Sequence, residues 1–344
     1  MSKTIFSTSN PLTKKLWEER LFRDVEIESY FVSRFMSEND NNIVQVQTDL
    51  TKSQGDQVTF GVVQNLSGDG VTSGQVLEGN EEGLTSYDYS IVLEQYRHGT
   101  RTRGKLDVQR AMFSIPDVSR NKLKIWGAEK IDKLLVAALL ASPTKILYRD
   151  GVAGAFSGTA IAATAKTAMT AANSKLTPNF ISALRVWAKT GGSAATYRIR
   201  PVKIEGEEFY VLLVPPAAMY DLRIDSTFQT AMKDAMDRGK SNPLFRGATA
   251  VWDNVVVHET ERISLFTDGG GGASVTGAFC ALMGAQALCW AWGERPNTVQ
   301  DEFDYGNEMG WAWEMMAKAG KPKFNSKDYG TVGVCLACTN VTTV

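Results

Sequence analysis

The pair Cys335 and Cys338, spaced as CxxC, is the first arrangement in this sequence that could do chemistry, as half of a metal clip or as a redox couple. A structural zinc site takes four ligands, and the other two cysteines, Cys280 and Cys289, have no paired spacing. Positions i and i+3 of a strand also face opposite ways, and a redox pair belongs at a helix N-terminus, which the residues around it do not signal. The four thiols therefore read as buried and inert. His258-Glu259 opens like the HExxH zinc motif, but Arg262 stands where the second histidine belongs. His98 lies among arginines, and neither histidine has a recognisable nucleophile to serve. Gly68, Gly70 and Gly74 are spaced G-x-G-x-x-x-G, one residue too long for a dinucleotide fingerprint, with no amphipathic helix after them. They read as turn glycines. The acidic run at 38–42 lacks the sixth-position glycine and closing glutamate of a calcium loop. The expectation is no catalytic residue, no cofactor, no metal and no enzyme activity.

One charge feature survives this reading. Arg97, Arg101, Arg103 and Lys105, extended by Arg110, form a basic cluster. It suits an inter-subunit surface, met by Glu78, Glu81 and Glu82 of a neighbouring copy, or else simply a solvated face. A nucleic-acid-binding role is the alternative function. It is weaker, because only Tyr96 supplies an adjacent aromatic for base stacking. The whole chain argues the same way: 37 Lys+Arg against 38 Asp+Glu give a net charge of -1, so no chain-wide basic field exists to grip nucleic acid.

The elements that must position these residues are mixed. The chain has 344 residues, 43% of them hydrophobic and 22% charged, which is ordinary globular composition and gives a prior of about two domains. Four cysteines are too few for a disulfide scaffold. No apolar run reaches the ~20 residues a bilayer needs, and the N-terminus lacks a secretory core, so a soluble chain without a membrane partner is expected. A helical stripe is expected over 16–35 and strands over 54–66 and 87–93, making 51–110 a long two-stranded arm with a glycine-rich middle. The longest helix is expected over 117–142, with Leu123, Gly127, Ile131, Leu134, Leu135 and Ala138 on one stripe and Pro143 as its stop. Gly127 in that helix costs ~1 kcal/mol relative to alanine, so it needs a reason. Close packing is one, and a bend that lets the helix flex between curvatures is the other, slightly favoured here.

Residues 151–175 lack pattern and read as an irregular excursion. A capped helix follows Thr177-Pro178 and stops at Gly191-Gly192, carrying Ile181, Leu184 and Trp187 inward. Strands at 197–204 and 207–214 meet at Glu205-Gly206. A helix capped by Asp225 or Ser226, a strand over 251–261, helices near 278–291 and 307–319, and a strand over 330–337 complete an α+β pattern without regular alternation.

The order and spacing of several pieces resemble tailed-phage major capsid proteins, in the branch typified by N-four-like phages. The pieces are Thr48-Asp49-Leu50, Gly55-Asp56, Val58-Thr59-Phe60, Leu66, Gly68, Gly70-Val71 and Leu77-Glu78-Gly79-Asn80-Glu81-Glu82. Gln109-Arg110, Trp126, Val211 to Pro215, Asn242-Pro243-Leu244-Phe245-Arg246-Gly247 and Asp328-Tyr329-Gly330 continue the series. The resemblance covers the chain from about residue 16. It implies the Hong Kong 97-type capsid fold, with an N-terminal arm over 1–50, an extended β-hairpin loop over 51–110 and a peripheral domain with a spine helix over 111–176. An axial domain over 177–265 and a peripheral return over 266–344 follow. It further implies hexamers and pentamers in an icosahedral shell around double-stranded DNA bound non-specifically. Portal and scaffolding proteins are the implied partners, with decoration proteins left open. The implied location is the virion capsid, after assembly in the host cytoplasm. No catalytic residues come with the resemblance.

Overall fold

The computed structural model describes residues 29–48, 55–63, 70–74, 76–84, 86–111, 114–149, 156–159, 166–191, 198–234, 250–324 and 327–339. From the N-terminus run α1 (Val32–Phe35), β1 (Met36–Ser37), β2 (Val44–Gln47), β3 (Gln57–Val63), β4 (Ser86–Val92), β5 (Glu94–Arg101), α2 (Lys105–Arg110) and α3 (Ile115–Leu140). Next come β6 (Ile146–Arg149), β7 (Phe156–Thr159), α4 (Pro178–Thr190), β8 (Val202–Ile204), β9 (Glu207–Val214), α5 (Pro216–Ile224) and α6 (Ser226–Asp234). The chain finishes with β10 (Ala250–Trp252), β11 (Val255–Glu259), β12 (Leu265–Gly269), β13 (Val275–Met283), β14 (Leu288–Phe303), β15 (Glu308–Gly320), β16 (Lys323–Phe324), β17 (Lys327–Asp328) and β18 (Thr331–Ala337).

Two mixed sheets dominate the described residues. One runs β1-β2-β14-β15-β5, and the other β10-β11-β9-β13-β18-β6-β7, with β12 on β13 and β8 on β9. β3 and β4 form a separate hairpin. The long helix α3 packs its buried face, Leu123, Gly127, Ala128, Ile131, Leu135, Val136 and Leu139, against the first sheet and into the main core. Pro116 sits in its first turn, where a missing N–H costs nothing.

Local chemistry explains the elements the sequence signalled best. Thr177 Oγ1 accepts from the Phe180 N–H, and Gly191 closes α4 in the left-handed region at φ 75°. Glu205 and Gly206, at φ 51° and 88°, make the tight turn between β8 and β9. Asp225 Oδ1 accepts from the Thr227 and Phe228 N–H groups to start α6.

Several expectations need correction. The helices expected near 278–291 and 307–319 are strands β13, β14 and β15. The run from Phe279 to Trp292 is apolar on both faces because its strands are covered on both sides, and periodicity cannot separate that from a buried helix. In β15, Trp311, Trp313, Met315 and Ala317 alternate inward in strict strand period, against the helical preference of its Ala, Met and Glu. The strand expected over 251–261 is a hairpin, β10–β11, turned by Asp253 and Asn254 at φ 45° and 58°. The stretch taken as irregular includes β7, paired antiparallel with β6. Of the stripe over 16–35, only the turn from residue 29 onward lies within the described residues, and Gly68 lies outside them, as do residues 242–247.

Candidate functional site

The basic cluster is divided by the strand that carries it. Arg97 and Arg101 share one face of β5, and each meets an acid of the adjacent strand β15: Arg97 Nε lies 3.4 Å from Glu314 Oε2, and Arg101 pairs with Glu308. The Arg101 guanidinium also lies over the Phe303 ring, 4.2 Å from its centroid. Tyr96 and His98 occupy the opposite face, against α3. His98 stacks on Trp126 at 4.5 Å, and the Lys130 ammonium lies 4.8 Å above the Tyr96 ring. Arg103 and Lys105 lie past the strand and are exposed. Arg103 leads into α2, which begins at Lys105, a six-residue helix with no buried residue that leaves Leu106 58% exposed. A helix this short is not stable in water on its own, so contact must hold it.

Glu78, Glu81 and Glu82 lie at the far end of the β3–β4 hairpin and are exposed. Glu81 Oε2 accepts from the Gly79 N–H at 2.7 Å, and Gly79 takes φ 91°, which fixes the turn there. Val76, Leu77 and Leu84 flank these acids with most of their side chains in solvent. The ion pairs of Arg97 and Arg101 are made with Glu314 and Glu308 of β15, not with the acids of the hairpin tip.

The root of the hairpin is a different environment. Direct cross-strand partners share a face, so Val58 with Ile91 and Phe60 with Tyr89 line one side. That side packs on Cys289 and Ala291 of β14 in a small hydrophobic cluster of its own. The other side, including Thr59 and Ser90 joined through their hydroxyls at 3.1 Å, faces solvent. A two-stranded ribbon is marginal alone, and this one is steadied along β4, from the cluster at its root to Tyr87 beside Phe324.

Gly127 has a packing partner. A methyl group at this position would lie 3.0 Å from Trp313 Cζ2 and 3.1 Å from Cε2, and Trp313 is fully buried beneath Trp126, whose ring meets it edge-on at 5.1 Å. The close-packing explanation of this glycine thus rests on an observed neighbour.

Sequence reasoning missed Asp132. Its carboxylate, 1% exposed on the apolar face of α3, accepts from Ser29 Oγ at 2.7 Å, from the Tyr30 N–H at 3.1 Å and from the Phe31 N–H at 3.2 Å. Arg262 lies 3.3 Å away and balances the charge. An acid on the buried stripe is itself the signal that could have found it, because Asp is almost never fully buried unless paired. The long helix thereby ties down the turn through which the N-terminal segment enters.

The remaining candidates are placed as follows. His258 is fully buried, with Nδ1 2.6 Å from the Tyr30 hydroxyl. Burial pushes the Cys289, Cys335 and Cys338 thiols up to about 12 and raises Cys280 well above the ordinary thiol range. Cys335 Sγ contacts Met169 Sδ at 3.3 Å, on β18, while Cys338 lies beyond that strand's end. Among the described residues no group of three or more His, Cys, Asp or Glu is arranged to hold a metal ion.

Comparison with known proteins points one way. A family model described as phage capsid protein matches residues 6–339. The major capsid protein of Pseudomonas phage KPP25 is 28% identical over 94% of this chain and 95% of its own length. Among solved structures, the capsid of Ralstonia phage GP4 superposes with a TM-score of 0.79 at 25% identity, covering 99% of both chains. The capsid asymmetric unit of cyanophage Pam1 gives 0.75 at 21% identity over 89% of this chain and 91% of its own.

Proposed function

The chain belongs to the phage capsid protein family, with the Hong Kong 97-type fold, and from that premise we propose how it builds its shell. It is the major capsid protein, assembling as hexamers and pentamers into an icosahedral shell that encloses double-stranded DNA non-specifically. Its role is structural and not enzymatic. It assembles in the host cytoplasm, with portal and scaffolding proteins as partners. The observation that carries this reading is a structural match covering 99% of this chain and 99% of a phage capsid chain.

In this reading residues 1–50 are the N-terminal arm, 51–110 the extended loop, 111–176 the peripheral domain with α3 as spine, 177–265 the axial domain and 266–344 the peripheral return. The hairpin tip lies on a neighbouring copy. Its acids Glu78, Glu81 and Glu82 face basic groups there, and Val76, Leu77 and Leu84 are covered at the same contact. Arg97 and Arg101 already have acids of their own chain beside them, so Arg103, Lys105 and Arg110, with Leu106 and Val108 between them, are the better-placed receivers. Charge complementarity of this kind sets register and association rate more than affinity. The cluster's pairing within its own sheet also weakens the nucleic-acid alternative.

Electron microscopy of the purified protein tests the reading. Closed shells or capsomers are expected from the full chain, and deletion of residues 65–83 is expected to leave a folded subunit that forms none. Normal shells from the deletion would refute the arm's role, and a full chain that stays monomeric under all assembly conditions would refute the function.

A further inference from the structure

We propose that the hairpin arm is aimed before assembly, held at a set angle to its own subunit by two glycine seats, Gly320 on β15 and Gly293 on β14. The inference rests on the shell-subunit reading and concerns how the arm of a free subunit is prepared for it.

Three independent features converge at the arm's root. First, the return strand has no slack. β4 ends at Val92 and β5, a strand of the core sheet, begins at Glu94, so Leu93 alone joins arm to core. Its N–H donates to the Asp56 carbonyl at 2.8 Å, which closes the base of the hairpin across both strands.

Second, each glycine is filled by an arm side chain. A Cβ on Gly320 would lie 2.6 Å from Ile91 Cδ1 and 2.9 Å from Tyr89 Cε1, and a Cβ on Gly293 would lie 2.5 Å from Leu93 Cδ1. Neither glycine has a positive φ, so backbone conformation does not demand glycine at either place; what marks them is that arm side chains occupy the room a Cβ would take. Gly293 also sits where the β14–β15 register shifts, between Trp292 and Glu294, so the strand bends at the point where Leu93 enters.

Third, the seats lie in a satellite core. Val58, Phe60 and Ile91 from the arm meet Cys289 and Ala291 from β14, apart from the main core. Farther out, the Tyr87 ring lies 6.4 Å from Phe324, which meets Tyr329 edge-on at 5.2 Å. The arm thus touches its own subunit along a line from Leu93 to Tyr87, and a rotation about its root would break contacts at every step. An arm already aimed loses less freedom on docking than one that swings, and preorganisation of that sort favours association.

The test reads the arm's angle in the unassembled subunit, so its failure leaves the shell reading standing. Spin labels on cysteines introduced at Ser86 and Lys133, both exposed, report the arm-to-spine distance by double electron–electron resonance. A narrow single-distance distribution is expected in the otherwise native subunit. Gly320→Val, which overfills one seat, and Ile91→Ala, which empties it, should each broaden and shift the distribution, with the fold of each checked by circular dichroism. A distribution already broad in the native background would overturn the proposal. So would folded seat variants whose distribution matches the native one.

Discussion

Asp132 caps a helical turn to which it does not belong. The first N–H groups of a helix lack partners within it, and here the Tyr30 and Phe31 amides find theirs on a carboxylate of α3. Removing that carboxylate leaves these donors and Ser29 Oγ without their acceptor, and Arg262 without its counter-charge. Asp132→Ala should therefore lower subunit stability by about 3 kcal/mol, read by urea denaturation. A loss below ~1 kcal/mol would show that the turn is held by its apolar contacts alone. Gly127→Ala sets two effects against each other. Alanine gains ~1 kcal/mol of helix propensity, while a methyl group against a fully buried indole costs about 1–3 kcal/mol of overpacking. With Trp313 boxed in by Trp126, packing should win, so the variant should melt lower. If it melts at or above the native temperature and gives aberrant shells, the helix-bending explanation is the right one. Of these two residues only Gly127 stood out in the sequence, because a glycine in a helix is conspicuous. Asp132 hid inside an amphipathic stripe, where its partners are about a hundred residues away.

At the scale of elements, what the sequence made legible follows its local chemistry. Caps and turns were readable because the side chain that starts or stops the element is adjacent to it, as at Thr177, Gly191, Glu205-Gly206 and Asp225. β13 and the first part of β14 were not, because their character comes from being covered on both faces by parts of the chain distant in sequence, and β15 was not because its Ala, Met and Glu favour a helix while only one face alternates inward. The basic cluster shows the same limit. Its members looked equivalent in sequence, yet pairing with β15 gives Arg97 and Arg101 intramolecular acids and leaves Arg103 and Lys105 exposed. The division makes a prediction. Reversal of Arg103 and Lys105 to Glu should slow assembly and change its salt dependence while leaving the subunit's melting temperature nearly unaltered, as followed by light scattering and thermal denaturation. Unchanged assembly kinetics would remove α2 and its approach from the interface.

At the scale of the molecule, the subunit is unfinished where it stands alone. Its two sheets and α3 share a filled core, whereas the hairpin tip and α2 carry apolar side chains that no part of the chain covers in the described residues. The tip carries Glu78, Glu81 and Glu82 and the α2 region carries Arg103, Lys105 and Arg110, the opposite charges on which the proposed contact between copies rests. Cryo-electron microscopy of assembled particles tests this most directly. The account predicts a closed icosahedral shell in which the tip over residues 76–84 of each copy lies on residues 103–110 of a neighbour. A shell in which that tip contacts only its own subunit or solvent would contradict it.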